Sequence, residues 1–101
     1  MQPPLTFEAE AERELREAIV WYKSKKPALA ERFEAEVHSL VEAISRNPKR
    51  FRLVSRMTRQ ARVTGWPYSI YFTFDEERSR IIVVSVFHGK RNPDDLRSRL
   101  E

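Results

Sequence analysis

Three side chains in the second half of the chain could act together on a phosphate ester: Arg62, His88 and Arg91. A histidine can serve as a general base, and neighbouring cations favour the neutral ring that this role needs. Two guanidinium groups can grip a phosphate and stabilise the charge of its transition state. The set therefore fits part of an RNA-cleaving site. Phe87 and Gly89 flank His88, so the sequence offers no acid–base partner beside it.

Each of these residues also has a purely structural interpretation. His88 could bond the backbone at a strand end, and each arginine could pair with a carboxylate on a neighbouring element. His38 stands alone in a helical pattern and is predicted to be structural or exposed to solvent. The chain has no cysteine and no paired metal-ligand spacing. We therefore expect no metal site and no cofactor.

Charge is distributed unevenly along the 101 residues. Residues 1–45 hold six basic and nine acidic side chains, a net charge of −3, whereas residues 46–101 hold thirteen basic and six acidic ones, a net charge of +7. Such asymmetry favours a surface for nucleic acid or for an acidic protein, although a solvated basic surface would look the same. The residues predicted to bind a partner are Arg50, Arg52, Arg56, Arg59 and Trp66. Trp66 could equally be a lid over the core.

Helical spacing of apolar residues predicts two consecutive helices. The first begins near Glu8 and the second begins at Pro27, which suits the first position of a helix. The sequence Asn47-Pro48 ends the second helix. Tyr22 falls on the apolar stripe of the first helix and is predicted to lie in the core. Four acidic residues in the first turns suit the positive end of the helix dipole, namely Glu8, Glu10, Glu12 and Glu14.

The other segments are strand-like. Residues 5–7, 51–54, 61–63, 68–74 and 81–87 are strand candidates, and Asn92 is placed to cap a last short helix containing Leu96 and Leu100. The connection between the two long helices is short, so they should form an antiparallel hairpin. The prediction is one α+β domain over residues 1–101, in the order β-α-α-β-β-β. A helical hairpin packs on a small, mostly antiparallel sheet, and a short C-terminal helix follows.

The amino-terminal residues carry several acids and no apolar signal core, and no apolar run approaches the ~20 residues of a membrane span. We expect no membrane association. Absence of cysteine is compatible with the reducing cytoplasm, which is the predicted location.

Five short motifs run through almost the whole chain: Ala11-x-x-Glu14-Leu15-x-x-Ala18 before Trp21-Tyr22; Leu29-Ala30-x-Arg32-Phe33; Ile44-x-x-Asn47-Pro48; Arg62 before Trp66-Pro67-Tyr68-Ser69-Ile70-Tyr71-Phe72; and Val84-x-Val86-x-His88-x-x-Arg91-x-Pro93. In this order and spacing they resemble toxins of the RelE/ParE superfamily. These are the toxin halves of bacterial type II toxin–antitoxin systems, often called plasmid stabilisation proteins. The resemblance implies a helical hairpin on a small antiparallel sheet, and a cognate antitoxin that is ParD-like or RelB-like.

Within that superfamily the resemblance implies more than one activity. ParE-like members poison DNA gyrase and lack nuclease residues, whereas RelE-like members cleave messenger RNA on the ribosome. The ending His88-x-x-Arg91-x-Pro93 and the pair Trp21-Tyr22 look more like ParE, and no C-terminal tyrosine of the RelE kind is present. We therefore expect a gyrase inhibitor. The alternatives are a ribosome-dependent endoribonuclease using Arg62, His88 and Arg91, or a non-toxic antitoxin-binding protein. In each case an acidic antitoxin tail is expected to fold onto the basic half.

Overall fold

The computed structural model describes residues 2–100. A short strand, β1 (Leu5–Phe7), precedes two long helices, α1 (Ala9–Lys25) and α2 (Pro27–Arg46). One turn of 3₁₀ helix (Pro48–Arg50) leads into the second half of the chain. That half holds β2 (Arg52–Leu53), β3 (Thr58–Arg62), β4 (Tyr68–Asp75), β5 (Arg80–His88) and α3 (Pro93–Arg97).

The strands form one sheet in the order β1-β5-β4-β3-β2. Only β1 is parallel to its neighbour, and the other pairs are antiparallel. The predicted α+β class, with a helical hairpin on a mostly antiparallel sheet, is confirmed. Four strands follow the hairpin, one more than in the predicted order. Each of the four overlaps a strand candidate, but the predicted order counted only three, because β2 is two residues long and β3 is a mostly polar strand that begins at Thr58, before the candidate at 61–63.

Lys26 alone connects the two long helices. Its backbone is extended, and its N–H donates to the carbonyl of Tyr22 at 2.9 Å, which closes the last turn of α1. Pro27 then begins α2, because its fixed φ suits a first helical position that needs no N–H donor. Asn47 follows the last residue of α2. Both predicted helix boundaries are confirmed.

The core lies between the helical hairpin and one face of the sheet. Phe33 and Ile44 of α2 are fully buried against sheet residues that include Ile70 and Phe72 of β4. At one end of this core four rings contact one another, with centroid separations of 4.9 to 6.3 Å; they belong to Tyr22, Phe33, Trp66 and Tyr68. The prediction that Tyr22 is a core residue is confirmed.

The chain ends in a short capped helix. The Asn92 side chain accepts a hydrogen bond from the N–H of Asp94 at 3.0 Å, which satisfies a free donor at the start of α3. Leu96 is buried, whereas Leu100 lies beyond the end of α3. Within residues 2–100, no helix is both long and apolar enough to cross a bilayer.

Two valines on the helices provide a matched test of this packing. Val37 is 5% exposed and belongs to the core, whereas Val20 is 65% exposed on α1. Val37→Ala should lower the free energy of unfolding by about 2 kcal/mol more than Val20→Ala, because only Val37 loses buried contacts. Urea denaturation of both variants measures the difference. Equal effects would contradict the packing of α2 on the sheet.

Candidate functional site

Glu14 of α1 is a carboxylate buried between the helix and the sheet. Its side chain is 3% exposed and accepts five hydrogen bonds. The donors on β5 are the Ser85 hydroxyl at 2.9 Å and the Val86 backbone N–H at 3.0 Å. Two arginines that follow β5 in the chain also donate to Glu14. Arg91 donates one hydrogen bond at 2.6 Å, and Arg99 donates two, at 2.8 and 3.2 Å. One carboxylate thus joins α1, β5 and the C-terminal segment.

This cluster also completes an edge of the sheet. Pairing between β1 and β5 ends at Phe7 and Val83, so β5 continues past the end of its neighbour. Beyond that point Glu14 accepts from the N–H of Val86, and Arg99 donates to the carbonyl of Val84 at 2.6 Å. Buried backbone groups without partners are costly. The two side chains therefore act in place of the missing part of a strand.

Glu14 is held in its ionised form. Burial alone would raise the pKa of Glu14, but the hydrogen bonds from Arg99, Ser85, Val86 and Arg91 outweigh it and keep the pKa below its ordinary value. Two guanidinium groups share this one carboxylate. The cluster therefore retains one net positive charge at neutral pH.

The sequence-based prediction grouped Glu14 with three other acids whose charge suits the start of α1, and it did not include the burial of Glu14. Only Glu14 among them is buried. A usable signal was present, because Glu14 lies three residues after Ala11 and four before Ala18, which are both buried on the same face. An acid on the apolar face of a helix needs partners. Those partners, Arg91 and Arg99, lie far along the chain.

Arg91 lines one side of a cleft between α1 and the end of β5, which we call the α1 cleft. Its volume is about 380 Å³. The guanidinium of Arg91 bonds to Glu14 and lies 4.5 Å from the centre of the Phe87 ring. Its charge is therefore already partly neutralised within the protein, which weakens it as a clamp for a phosphate.

His88 lies in the same α1 cleft, at the end of β5. Its Nδ1 accepts a hydrogen bond from the backbone N–H of Lys90 at 2.9 Å, and its ring contacts that of Tyr68 with centroids 4.9 Å apart. With Nδ1 accepting, a neutral ring carries its proton on Nε2. In this arrangement Nε2 can donate a hydrogen bond but cannot take a proton as a base. His38 is exposed, as predicted, 3.7 Å from Glu42.

Arg62 is not beside His88 but in a second groove, on the sheet face away from the helices. We call this the sheet groove; its volume is about 430 Å³. Its lining contains no acid and consists of Arg52, Gln60, Arg62, Trp66, Pro67, Tyr68, Ser69, Tyr71, Phe87, Gly89 and Lys90. Burial raises the pKa of Tyr71, whose hydroxyl bonds to Gln60 at 3.0 Å. The structure thus brings His88 and Arg91 together, with Arg62 on a separate surface.

The arginines predicted to bind a partner lie around the β2–β3 connection. Arg52 donates to Gln60 at 3.2 Å, and Arg59 donates to the carbonyl of Phe51 at 2.8 Å. Arg50 stacks 5.0 Å from the centre of the Phe51 ring, and Arg56 is exposed in the turn. They form one basic edge of the sheet.

Trp66 has two structural roles. Its ring lies 4.9 Å from that of Tyr22 and 5.2 Å from that of Phe33, so it covers one end of the core. It also lines the sheet groove. The predicted lid over the core is therefore present, and a role in partner binding stays a prediction. Nowhere in residues 2–100 do three potential metal ligands come together.

A family model described as the ParE toxin of type II toxin–antitoxin systems, parDE, matches residues 5–93. The chain belongs to the ParE toxin family. The match covers most of the chain and confirms the resemblance to the RelE/ParE superfamily. No curated protein matches this ParE-family chain in sequence.

Two solved structures resemble this ParE-family protein in fold. One is described as the chromosomal ParDE system from P. aeruginosa, with 14% identity and a TM-score of 0.73; the match covers 86% of this chain and 96% of that one. The other is the toxin–antitoxin complex RelBE2 from Mycobacterium tuberculosis, with 23% identity and a TM-score of 0.65, covering 87% and 99%. At these identities the likeness concerns the fold.

Two glutamates one turn apart on α1 test the buried cluster. Glu14→Gln should lower the free energy of unfolding by about 3 kcal/mol. This value is at the low end of the cost of breaking a buried ion pair, because the side chains of Arg91 and Arg99 are partly exposed and can be solvated when Glu14 is lost. Glu17→Gln should cost under about 1 kcal/mol, because the pair of Glu17 with Arg13 is exposed. Chemical denaturation at pH 7 measures both. Similar losses of stability in the two variants would contradict the burial and ion pairing of Glu14.

The pH dependence of the same two proteins tests the charge on Glu14. The folded-state pKa of Glu14 lies below its ordinary value of 4.5. Ionised Glu14 therefore stabilises the fold above about pH 4.5, and this contribution is lost as the pH falls through the lower folded-state value. The stability difference between wild type and Glu14→Gln should shrink as the pH is lowered from 7 to 3. A difference that grows on acidification would contradict the assignment.

Proposed function

We propose that this protein is a toxin that inhibits DNA gyrase by direct binding, and that a cognate antitoxin neutralises it. Membership of the ParE toxin family supports the first part. One observation favours an inhibitor over a nuclease. Arg91, which lines the same cleft as His88, is bonded to the buried Glu14 at 2.6 Å. A guanidinium that already pairs with a buried carboxylate is poorly suited to stabilise the negative charge that develops on a phosphate in the transition state.

The geometry of His88 adds to the same argument. General-base catalysis needs an unprotonated ring nitrogen that faces the substrate. In this protein Nδ1 is occupied by the Lys90 N–H, and the remaining nitrogen carries the proton of the neutral ring. Arg62 lines the sheet groove and not the α1 cleft that holds His88 and Arg91. An inhibitor that works by binding needs none of these groups to act on a bond.

An antitoxin partner, ParD-like or RelB-like, is part of the proposal. The two similar structures are described as a ParDE system and as a RelBE2 toxin–antitoxin complex, which supports it. The net charge of +7 on residues 46–101 would speed the approach of an acidic antitoxin tail from a distance, whichever surface the tail then binds. Gyrase acts on bacterial DNA, so the proposal includes a cytoplasmic site of action.

The second candidate is a ribosome-dependent endoribonuclease, and one observation favours it. The sheet groove is lined by Arg52, Arg62 and Lys90 and by no acid, and it also exposes aromatic side chains. A groove that combines cations, which pair with phosphates, and aromatic rings, on which bases stack, is typical of proteins that bind single-stranded nucleic acid. In this alternative Arg62 would bind RNA phosphate, while His88 and Arg91 would contribute from the α1 cleft.

Purified protein, bacterial gyrase, ATP and plasmid provide the deciding assay. We expect lost supercoiling or trapped double-strand breaks, with messenger RNA left uncut on translating ribosomes. Unperturbed gyrase together with cut messenger RNA would overturn the proposal in favour of the nuclease.

A histidine pair sharpens the distinction. His88→Gln should retain gyrase inhibition within about threefold, because binding does not need a titrating ring, whereas a nuclease that used His88 would lose roughly 10²–10⁴ in rate. His38→Gln is the matched control, since His38 is exposed on α2. Both variants are compared by the concentration of protein that half-inhibits supercoiling. A loss of a hundredfold for His88→Gln alone would refute a purely binding role.

A further inference from the structure

The arginines of residues 46–62 differ from those elsewhere in the chain in lacking carboxylate partners. Outside this segment six of the eight arginines form salt bridges; they are Arg13, Arg16, Arg78, Arg91, Arg97 and Arg99. Inside it, none of the six arginines has a carboxylate within salt-bridge distance among residues 2–100, and only Lys49 pairs, with Glu76 at 2.8 Å. The positive charge of the six arginines is thus not compensated by an ion pair within residues 2–100.

Exposed apolar side chains lie within the same segment. Leu53, Val54 and Met57 are 52%, 36% and 56% exposed. Leu53 ends β2, and the turn that follows it is closed by a 2.8 Å hydrogen bond from the N–H of Val54 to the carbonyl of Thr58. The combination of a small apolar tip with cations around it is typical of a protein-binding surface. We call residues 50–59 the basic hairpin.

The basic hairpin lies at the end of the sheet away from the N-terminal strand. Its β2 is one edge of the sheet and β1 is the other, with α1 packed against β1 and β5. A partner could therefore bind the hairpin without touching α1 or the α1 cleft. Two separate surfaces would suit a protein that is proposed to bind both a target and an antitoxin.

Several of these cations are already oriented. Arg59 donates to the carbonyls of Phe51 and Lys49, at 2.8 and 3.3 Å, and Arg50 stacks on the Phe51 ring. Ordering long side chains is one of the main costs of association. Oriented arginines reduce that cost, which favours a role in binding over one in solubility alone.

We propose that the basic hairpin is the gyrase-binding surface of this toxin. Its arginines pair with an acidic surface of gyrase, and Leu53 and Met57 enter an apolar depression there. The inference rests on the proposed function. A polypeptide is favoured over nucleic acid because the exposed apolar groups are aliphatic, and aliphatic side chains do not supply the base stacking on which single-strand binding depends.

Two double variants test the hairpin, and binding to immobilised bacterial gyrase at several salt concentrations is the measurement. Arg50→Glu with Arg56→Glu reverses two uncompensated charges. It should weaken binding about tenfold or more, slow association and flatten the salt dependence. Leu53→Ser with Met57→Ser should weaken binding by a similar factor while leaving the salt dependence intact.

The matched control is Lys23→Glu with Arg32→Glu, which changes the net charge by the same amount. Both residues are exposed on the helices, and neither has an ion pair within residues 2–100. Gyrase binding by this variant should stay within about threefold of wild type, because long-range attraction is screened at physiological salt. Thermal melting of every variant establishes that it is folded.

The outcomes separate this inference from the proposed function. If wild type does not bind gyrase, the proposed function fails and the inference fails with it. If wild type binds and folded hairpin variants bind equally well, only the inference is overturned. The inference is also overturned if the control variant Lys23→Glu with Arg32→Glu loses as much gyrase affinity as the hairpin variants. A third contrary outcome is that wild type binds plasmid DNA alone as tightly as it binds gyrase, and that only the hairpin variants lose this DNA binding.

Discussion

The buried, ionised carboxylate of Glu14 is the interaction on which the rest of this structure depends. A charge in a protein interior is tolerated only when strong hydrogen bonds replace its hydration. Here two guanidinium groups, a hydroxyl and a backbone N–H do so, and together they come from β5 and from the chain beyond it. The cluster fixes α1 against β5, satisfies a sheet edge that β1 is too short to cover, and holds the C-terminal segment.

This structural role constrains what the neighbouring residues can do. Arg91 and His88 occupy positions that suggest chemistry, yet one is bonded to Glu14 and the other to the Lys90 N–H. Among residues 2–100, the arginines of residues 46–62 have no carboxylate partner, and the lining of the sheet groove contains no acid. The charges that hold the fold around Glu14 are thus separate from the arginines to which the proposal assigns binding. That separation suits a protein that acts by binding, which is the activity proposed for this member of the ParE toxin family.

Local sequence signals were sufficient to predict the helices and strands that have a strong apolar pattern or a proline at their boundary. Prolines at residues 27 and 48 bounded α2, and the long apolar runs gave β4 and β5. The two-residue β2 was harder, since pairing with Arg59 and Gln60 defines it rather than its own composition. The spacing of Glu14 from Ala11 and Ala18 could have indicated its burial, but its partners Arg91 and Arg99 could not be predicted locally, because they stand 77 and 85 residues away. Arg62 and His88 were grouped by residue type, whereas the fold assigns them to different surfaces.

The ionisation of Glu14 can be measured without changing the protein. Titration of the Glu14 side-chain carboxyl by carbon-detected NMR, with the Val86 amide proton followed in parallel, reports both the charge and the bond at the sheet edge. We expect the carboxyl to titrate below its ordinary pKa of 4.5, and the Val86 amide to shift with the same midpoint. A Glu14 pKa at or above 4.5, or a Val86 amide that does not respond, would contradict the account.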